Sequence, residues 1–535
     1  MSQFSRFFPL FPAVALLLGG CVAPIEEPTE ELEEPFSSDI ATLMNFEFDG
    51  ELASSTNANP AGQIRAQLLY TVGHLNANNS VARLGNLTLT GVTTTSAAGV
   101  YRIKYHAKLP VAWGSKANLP ASYALALPMR LDDGKFFDTY ARRCSDEPGS
   151  TTTANFWYHY RPRQQGCALA TGAAMTSTAR VTVSTQNTVA KYPEYQRVWE
   201  DDELAVVAVF GKYEVGGGVG DAGVDAYNEF ISTMNAEFSR SGVTTTPAAL
   251  PATPSTVGDV TFKVALPNGR SITLVALLVD VLSGENPTFD RRYAELTPGA
   301  DLIIYSGHAG LGANVRSLAN KGRFFPGKYQ AFFINGCDTE AYVDNTLATR
   351  RAALNADDPS GTKYMDIVTN VMPAYFVSMP NASMQLVRAL ANPATPKTYN
   401  AIFKGIDPSQ VVVVNGEQDN TFNASYTWPA KWRSRQAGTV SKGQTVSYST
   451  EILPAGSYVF TMTPDVAAPG GDADLHVRVG DAPTLTSTYK CPSYLYNSNE
   501  RCSAVTLSAP ARIFYSATGD KTGVSSGYVI RAFAR

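Results

Sequence analysis

LIIYSGHAGLGANVRSLANKGRFFPGKYQAFFINGCD, Leu302 to Asp338, contains two apolar blocks of the same shape with a helix-period segment between them. The first block ends in Gly307-His308 and the second in Gly336-Cys337. Short uninterrupted apolar runs read as strands buried on both faces, and the segment from about Gly312 to Lys321 reads as a helix. Strand, helix and strand in succession imply a parallel pair joined by a crossover. In open parallel sheets functional groups gather at the carboxyl ends of the strands. His308 lies just past the first end, near Tyr305, and Cys337 just past the second, near Asn335.

The same alternation continues on both sides. ELAVVAVFGKY (Glu203 to Tyr213) reads as a strand and AGVDAYNEFISTMNAEF as a helix. SITLVALLVD, AYFVSM and VVVVNG read as further strands, and NASMQLVRALA as a helix. The expectation is an α/β domain over 200–432 with a mostly parallel sheet covered on both faces. Residues 40–190 are rich in Thr, Val, Ser and Tyr; GQIRAQLLYTVGHL, SVARLGNLTLTGV and GVYRIKYHAKLPVAW read there as strands of an all-β sandwich. Residues 437–535 return to all-β texture and are expected to form a second, smaller sandwich. A multidomain chain is what 535 residues predict, at roughly 150 residues per domain.

The start of the chain, MSQFSRFFPLFPAVALLLGGC, has a basic Arg6 and an apolar run from Phe7 to Leu18, too short for a typical membrane span and suited to a secretion signal. Its end, Leu18-Gly19-Gly20-Cys21, resembles the bacterial lipobox, which implies cleavage before Cys21 and its lipidation. Residues 22–39 carry six glutamates and three prolines and are expected to be a tether. The expected location is an exported bacterial lipoprotein at the outer membrane or cell surface, held through its lipid anchor. A net charge of −4 offers no basic footprint for nucleic acid.

Export makes cysteine pairing the default. Of the six cysteines, Cys144 and Cys167 are expected to form one local disulfide and Cys491 and Cys502 another, although connectivity is not fixed by sequence. With Cys21 taken by lipid, Cys337 is left over. A thiolate nucleophile needs a base or cation beside it, and an imidazole supplies either. His308 is the histidine placed to do so. Asp280, at another strand end, is a candidate to orient His308, and Glu417 and Asp419 in NGEQDN are candidates for the same rim or for a solvated loop.

A hydrophobic block ending in His and Gly, followed by a hydrophobic block ending in a small residue and Cys, resembles the caspase-like (clan CD) cysteine peptidases, a group that includes caspases, legumains, gingipains, clostripain and separases. The spacing of 29 residues from His308 to Cys337 is shorter than the roughly 50 of caspases and nearer the gingipain arrangement. The resemblance covers about 200–432. It implies a cysteine endopeptidase acting on protein or peptide substrates, with Cys337 as nucleophile, His308 as general base, and the amides of Ala309 and Cys337 as oxyanion hole. The clan usually has glycine directly after the histidine; here the order is His308-Ala309-Gly310. Residues Gly470 to Cys502 resemble the bacterial pre-peptidase C-terminal domain, a β-sandwich appended to many secreted proteases. Asp472 and Asp474 there are candidates for calcium or for turn capping; no other cofactor is expected.

Gly218, Gly220 and Gly223 match a dinucleotide-binding glycine pattern, but the next strand begins near Val260, too late to carry the ribose-binding acid roughly 20 residues on. An active-site-rim loop is the expectation. Two rival functions are a catalytically inactive caspase-like binding or adhesion lipoprotein and a thiol-dependent transpeptidase.

Overall fold

The computed structural model describes residues 41–535, apart from 115–117, 186–190, 251–254, 281, 408, 467–469, 481–496 and 521–523. Cys21, the tether and Cys491 lie outside the described residues. None of the described helices is long and apolar enough to cross a membrane.

The first region is a six-stranded sheet of β1 (Thr42–Ser54), β2 (Ser80–Ala82), β3 (Thr88–Ala97), β4 (Val100–Trp113), β5 (Ser122–Pro128) and β6 (Ala174–Val183), with all its pairings antiparallel. It is not the expected sandwich. GQIRAQLLYTVGHL, expected to be a strand, lies within the helix Pro60–Asn76. Asn59 caps that helix by accepting from the Gly62 N–H, and Pro60 stands in the first turn, where its missing donor costs nothing. Ile64, Leu68, Val72 and Leu75 are buried at helical spacing.

The central sheet has eight strands in the order β14-β13-β12-β11-β7-β10-β9-β8. They are β7 (Glu203–Gly211), β8 (Thr244–Thr246), β9 (Asp259–Ala265), β10 (Ser271–Val279), β11 (Leu302–Ser306), β12 (Gln330–Asn335), β13 (Met365–Asn370) and β14 (Val412–Asn415). The expectation of a mostly parallel, caspase-like sheet is overturned: the sheet is mixed. β10, β7, β11, β12 and β13 run parallel, but β8, β9 and β14 pair antiparallel. β9 and β10 are joined through the short Pro267–Gly269 turn, and so short a link permits only a hairpin. AYFVSM is no strand but a loop that runs into the helix beginning at Met379; the strand before it is MDIVTN.

Both faces of this sheet are buried. Val207, Val209, Ile303, Tyr305, Phe332 and Ile334 face one core, shared with the first region. Val206, Ala208, Leu302, Ile304, Ala331 and Phe333 face the other, under the helices Ala222–Phe238 and Met379–Ala391. That two-sided burial explains why these strands are apolar at nearly every position.

The tail pairs β15 (Arg433–Val440), β17 (Gly456–Pro464), β19 (Glu500–Leu507) and β21 (Ser526–Ala534) in one sheet, and β16 (Thr445–Ser449), β18 (Ala473–Val479) and β20 (Ile513–Gly519) in another. The two sheets share one apolar core.

Candidate active site

β11 and β12 are adjacent and parallel, with Ser306 opposite Asn335. The ladder extends one step further, where the Gly307 N–H donates to the Asn335 carbonyl at 3.0 Å. His308 and Cys337 therefore each stand two residues past a register-matched pair, on strands about 4.8 Å apart. Both line a single cavity of about 200 Å³, together with Asn76, Tyr158, Tyr213, Ala374 and Phe376 among others.

Cys337 is a buried thiol, 6% exposed, and its Sγ donates to the Ala374 carbonyl at 3.7 Å. Gly336 is required by close approach. A Cβ there would lie 2.5 Å from the Gly307 carbonyl oxygen and 3.4 Å from the Ala309 amide nitrogen. The two strand-end loops thus touch backbone to backbone, and Gly336→Ala would wedge them apart. Displacements of about 1 Å at a reacting centre can cost ~10²-fold. Gly336→Ala is therefore expected to shift Cys337 relative to His308 and to change the alkylation rate of the Cys337 thiol by roughly one to two orders of magnitude.

His308 is held from several directions. Its backbone carbonyl accepts from Tyr305 Oη and from Asn314 Nδ2, each at 2.7 Å. Its ring lies 4.9 Å from that of Tyr213 and 5.1 Å from that of Phe376. Its Nε2 lies 3.1 Å from the Tyr213 carbonyl oxygen. A carbonyl only accepts, so Nε2 carries the proton and Nδ1 the lone pair. Burial lowers the His308 pKa below its ordinary 6.5, opposed by the Tyr213 carbonyl and the charge of Asp221. The neutral, basic form therefore persists to a pH below 6.5. Any reaction that uses the neutral imidazole is expected to have its acid limb below that value, measurable as a pH–rate profile of Cys337 alkylation. With a depressed pKa, the stability linked to His308 is present above 6.5 and lost as pH falls.

The acid that reaches His308 is Asp221, through the backbone. Its carboxylate caps the helix Ala222–Phe238 at Gly223 and Val224 and accepts the Tyr213 N–H at 2.9 Å, fixing the residue whose carbonyl holds the imidazole. Asp280 is engaged elsewhere: it takes Lys212 Nζ at 2.9 Å and the Gly216 N–H at 2.9 Å, and Lys212 lowers its pKa. The glycine-rich segment is the loop between β7 and that helix. Gly223 is close-packed, since a Cβ there would lie 2.2 Å from the Gly211 carbonyl oxygen.

Glu417 and Asp419 are not on this rim. β14 runs antiparallel to β13, so its carboxyl end lies beside the start of β13 at the opposite end of the sheet, where Asp419 accepts from Thr362 Oγ1.

Ala309 has φ −66° and ψ −25°, helical values that alanine adopts without strain. The positive φ angles fall on Gly310 (59°), Leu311 (48°) and Gly312 (90°). The His308-Ala309-Gly310 order thus needs no glycine at its second position.

Cys144 and Cys167 form a disulfide, with Cα atoms 4.8 Å apart, in the region that supplies Tyr158 to the cavity. Cys502 is disulfide-bonded. In the tail, burial and the charges of Asp472 and Asp520 raise Asp474 to about 6. Among the described residues no group of three or more His, Cys, Asp or Glu side chains is arranged to hold a metal ion.

No family model matches the chain, and no curated protein does. Among solved structures, the solution structure of vEP C-ter 100 is 25% identical, over 17% of this chain and 82% of that one, with a TM-score of 0.14. The crystal structure of gingipain R, an Arg-specific cysteine proteinase, is 10% identical, over 52% of this chain and 59% of that one, with a TM-score of 0.24. This chain thus spans less than two thirds of gingipain R. At such TM-scores neither likeness informs the chemistry; the side chains of the cavity do.

Proposed function

We propose that the chain is a cysteine-type endopeptidase anchored at a bacterial envelope surface by lipid on Cys21. The observation that carries the chemistry is the register match: a thiol and a neutral imidazole, each two residues beyond paired positions of adjacent parallel strands, lining one cavity. The lipobox-like Leu18-Gly19-Gly20-Cys21 supports the anchoring.

In this reading His308 Nδ1 takes the Cys337 thiol proton and the thiolate attacks the scissile carbonyl. The amides of Ala309 and Cys337 hold the developing oxyanion, a contribution of about 3–4 kcal/mol per donor in comparable sites. The imidazolium then protonates the leaving amine, giving a thioester. His308 next deprotonates a water, which displaces the thiol and releases the acid. The Nε2–H bond to the Tyr213 carbonyl keeps the ring in the tautomer that this sequence needs.

The test is the rate of iodoacetamide alkylation of Cys337 at about pH 7, where a model thiol is only a few per cent ionised. The reading predicts labelling faster than a free model thiol and slower in His308→Ala. Labelling no faster than the model thiol, and unchanged by His308→Ala, would sink it and favour a binding protein that keeps the fold.

A further inference from the structure

The turn that follows Cys337 is held by the first region of the chain. Asp338 is fully buried and takes the left-handed conformation, φ 50° and ψ 35°, uncommon for a residue with a side chain. Both of its carboxylate oxygens are occupied. Asn76 Nδ2 donates to Oδ1 at 2.6 Å and Tyr158 Oη donates to Oδ2 at 2.6 Å. Asn76 ends the helix Pro60–Asn76, and its own Oδ1 accepts from Arg161 Nη2 at 3.2 Å. Arg161 in turn donates to the Gly73 carbonyl at 2.7 Å and pairs with Asp146.

A second grip lies a few residues further along. Arg83, also from the first region, donates through Nε to the Val343 carbonyl at 3.1 Å and lies 3.6 Å from the fully buried carboxylate of Glu340. Asn76, Tyr158 and Arg161 also line the cavity that holds Cys337 and His308. A cover that is removed on activation would take these contacts, and the conformation of the turn, with it.

From this geometry we propose that Asp338 is a positioning residue, clamped by Asn76 and Tyr158 so that the first region holds the Cys337 turn in its working conformation as a permanent part of the active site. The proposal builds on the reading of Cys337 and His308 as the reacting pair, and its test separates the two. The αL conformation costs any residue with a side chain, although Asp less than most, so the two hydrogen bonds help to hold the turn there. Loss of a hydrogen bond donated to this buried carboxyl group should therefore let the turn relax and carry Cys337 away from the base.

The experiment uses the full chain and reads the second-order rate of iodoacetamide labelling at Cys337, with thermal midpoints recorded alongside. Asp338→Asn leaves one acceptor oxygen for two donors, Asn76 Nδ2 and Tyr158 Oη, so one of the two loses its acceptor. Labelling is expected to slow about tenfold, the effect of one buried hydrogen bond left unmade. Tyr158→Phe should slow it severalfold. Combining Asn76→Asp with Asp338→Asn exchanges donor and acceptor and should restore the rate to within about threefold of wild type, a rescue that general destabilisation would not give. Wild-type labelling in Asp338→Asn and Tyr158→Phe, with slowed labelling in His308→Ala, overturns the clamp and leaves the reacting pair intact. Slowed labelling in the clamp variants, with no change in His308→Ala, overturns the pair and, with it, a clamp that acts through the base. If Asp338→Asn fails to fold, Tyr158→Phe and the exchanged pair decide: rates equal to wild type in the first, or no rescue in the second, overturn the proposal.

Discussion

Cys337→Ala is expected to lower peptide hydrolysis by on the order of 10⁴- to 10⁶-fold with the thermal midpoint nearly unchanged. The size follows from losing covalent catalysis outright, since removing the nucleophile of a comparable hydrolase costs about 10⁶-fold. What remains is the contribution of the oxyanion amides and substrate binding. The small effect on stability follows from the setting. Cys337 is buried but lines a cavity, and its Sγ bond to the Ala374 carbonyl is long at 3.7 Å. Steady-state hydrolysis of a mixed peptide pool, with thermal melts of both proteins, checks both halves. Residual activity near wild type would move the chemistry elsewhere in the chain.

His308→Ala is expected to slow turnover by about 10²- to 10⁴-fold, the usual reach of a positioned general base. The loss should be smaller than for Cys337→Ala because a thiol is a few per cent thiolate at about pH 7 without help. The acid limb set by the buried imidazole should also vanish. Groups that act as a unit are not additive, so Cys337→Ala combined with His308→Ala should hydrolyse no more slowly than Cys337→Ala alone. A further loss in the double variant would show the two residues acting independently.

The pair is legible in the sequence because the sheet that carries it is buried on both faces. β7, β11 and β12 are apolar along almost their whole length, and the polar residues that interrupt them mark their ends. The direction of the outer strands is not legible in the same way. VVVVNG has the same composition whether it runs parallel or antiparallel, so composition alone puts Glu417 and Asp419 on the rim with Cys337. A signal for the β9–β10 hairpin is present in Asn268-Gly269 between two apolar-rich runs. β13 is hidden by Asp366, a charge inside a strand that is buried because Tyr329 Oη, Tyr399 Oη and Asn420 Nδ2 all donate to it. The helix Pro60–Asn76 is masked because Gln67, Thr71 and His74 are buried along with its apolar residues, leaving no clean polar face to set its period.

The support around the pair escapes a sequence reading for different reasons. The group that orients His308 is a backbone carbonyl, at Tyr213, which leaves no side-chain signature. Asp221 behind it looks like any helix cap. The clamp on Asp338 comes from Asn76, 262 positions away, and only the folded chain brings them together. Conversely, the glycine missing after His308 carries less weight than the family pattern implies, because Ala309 sits in an ordinary helical conformation.

The most direct test is to incubate the full chain with a peptidyl acyloxymethyl ketone, which alkylates a nucleophilic thiol seated beside a base, and to map the adduct by mass spectrometry. One adduct is expected, on Cys337, forming at least about 100-fold more slowly in His308→Ala. Adduct formation elsewhere, or on Cys337 at the same rate in both proteins, would contradict a Cys337–His308 reacting pair.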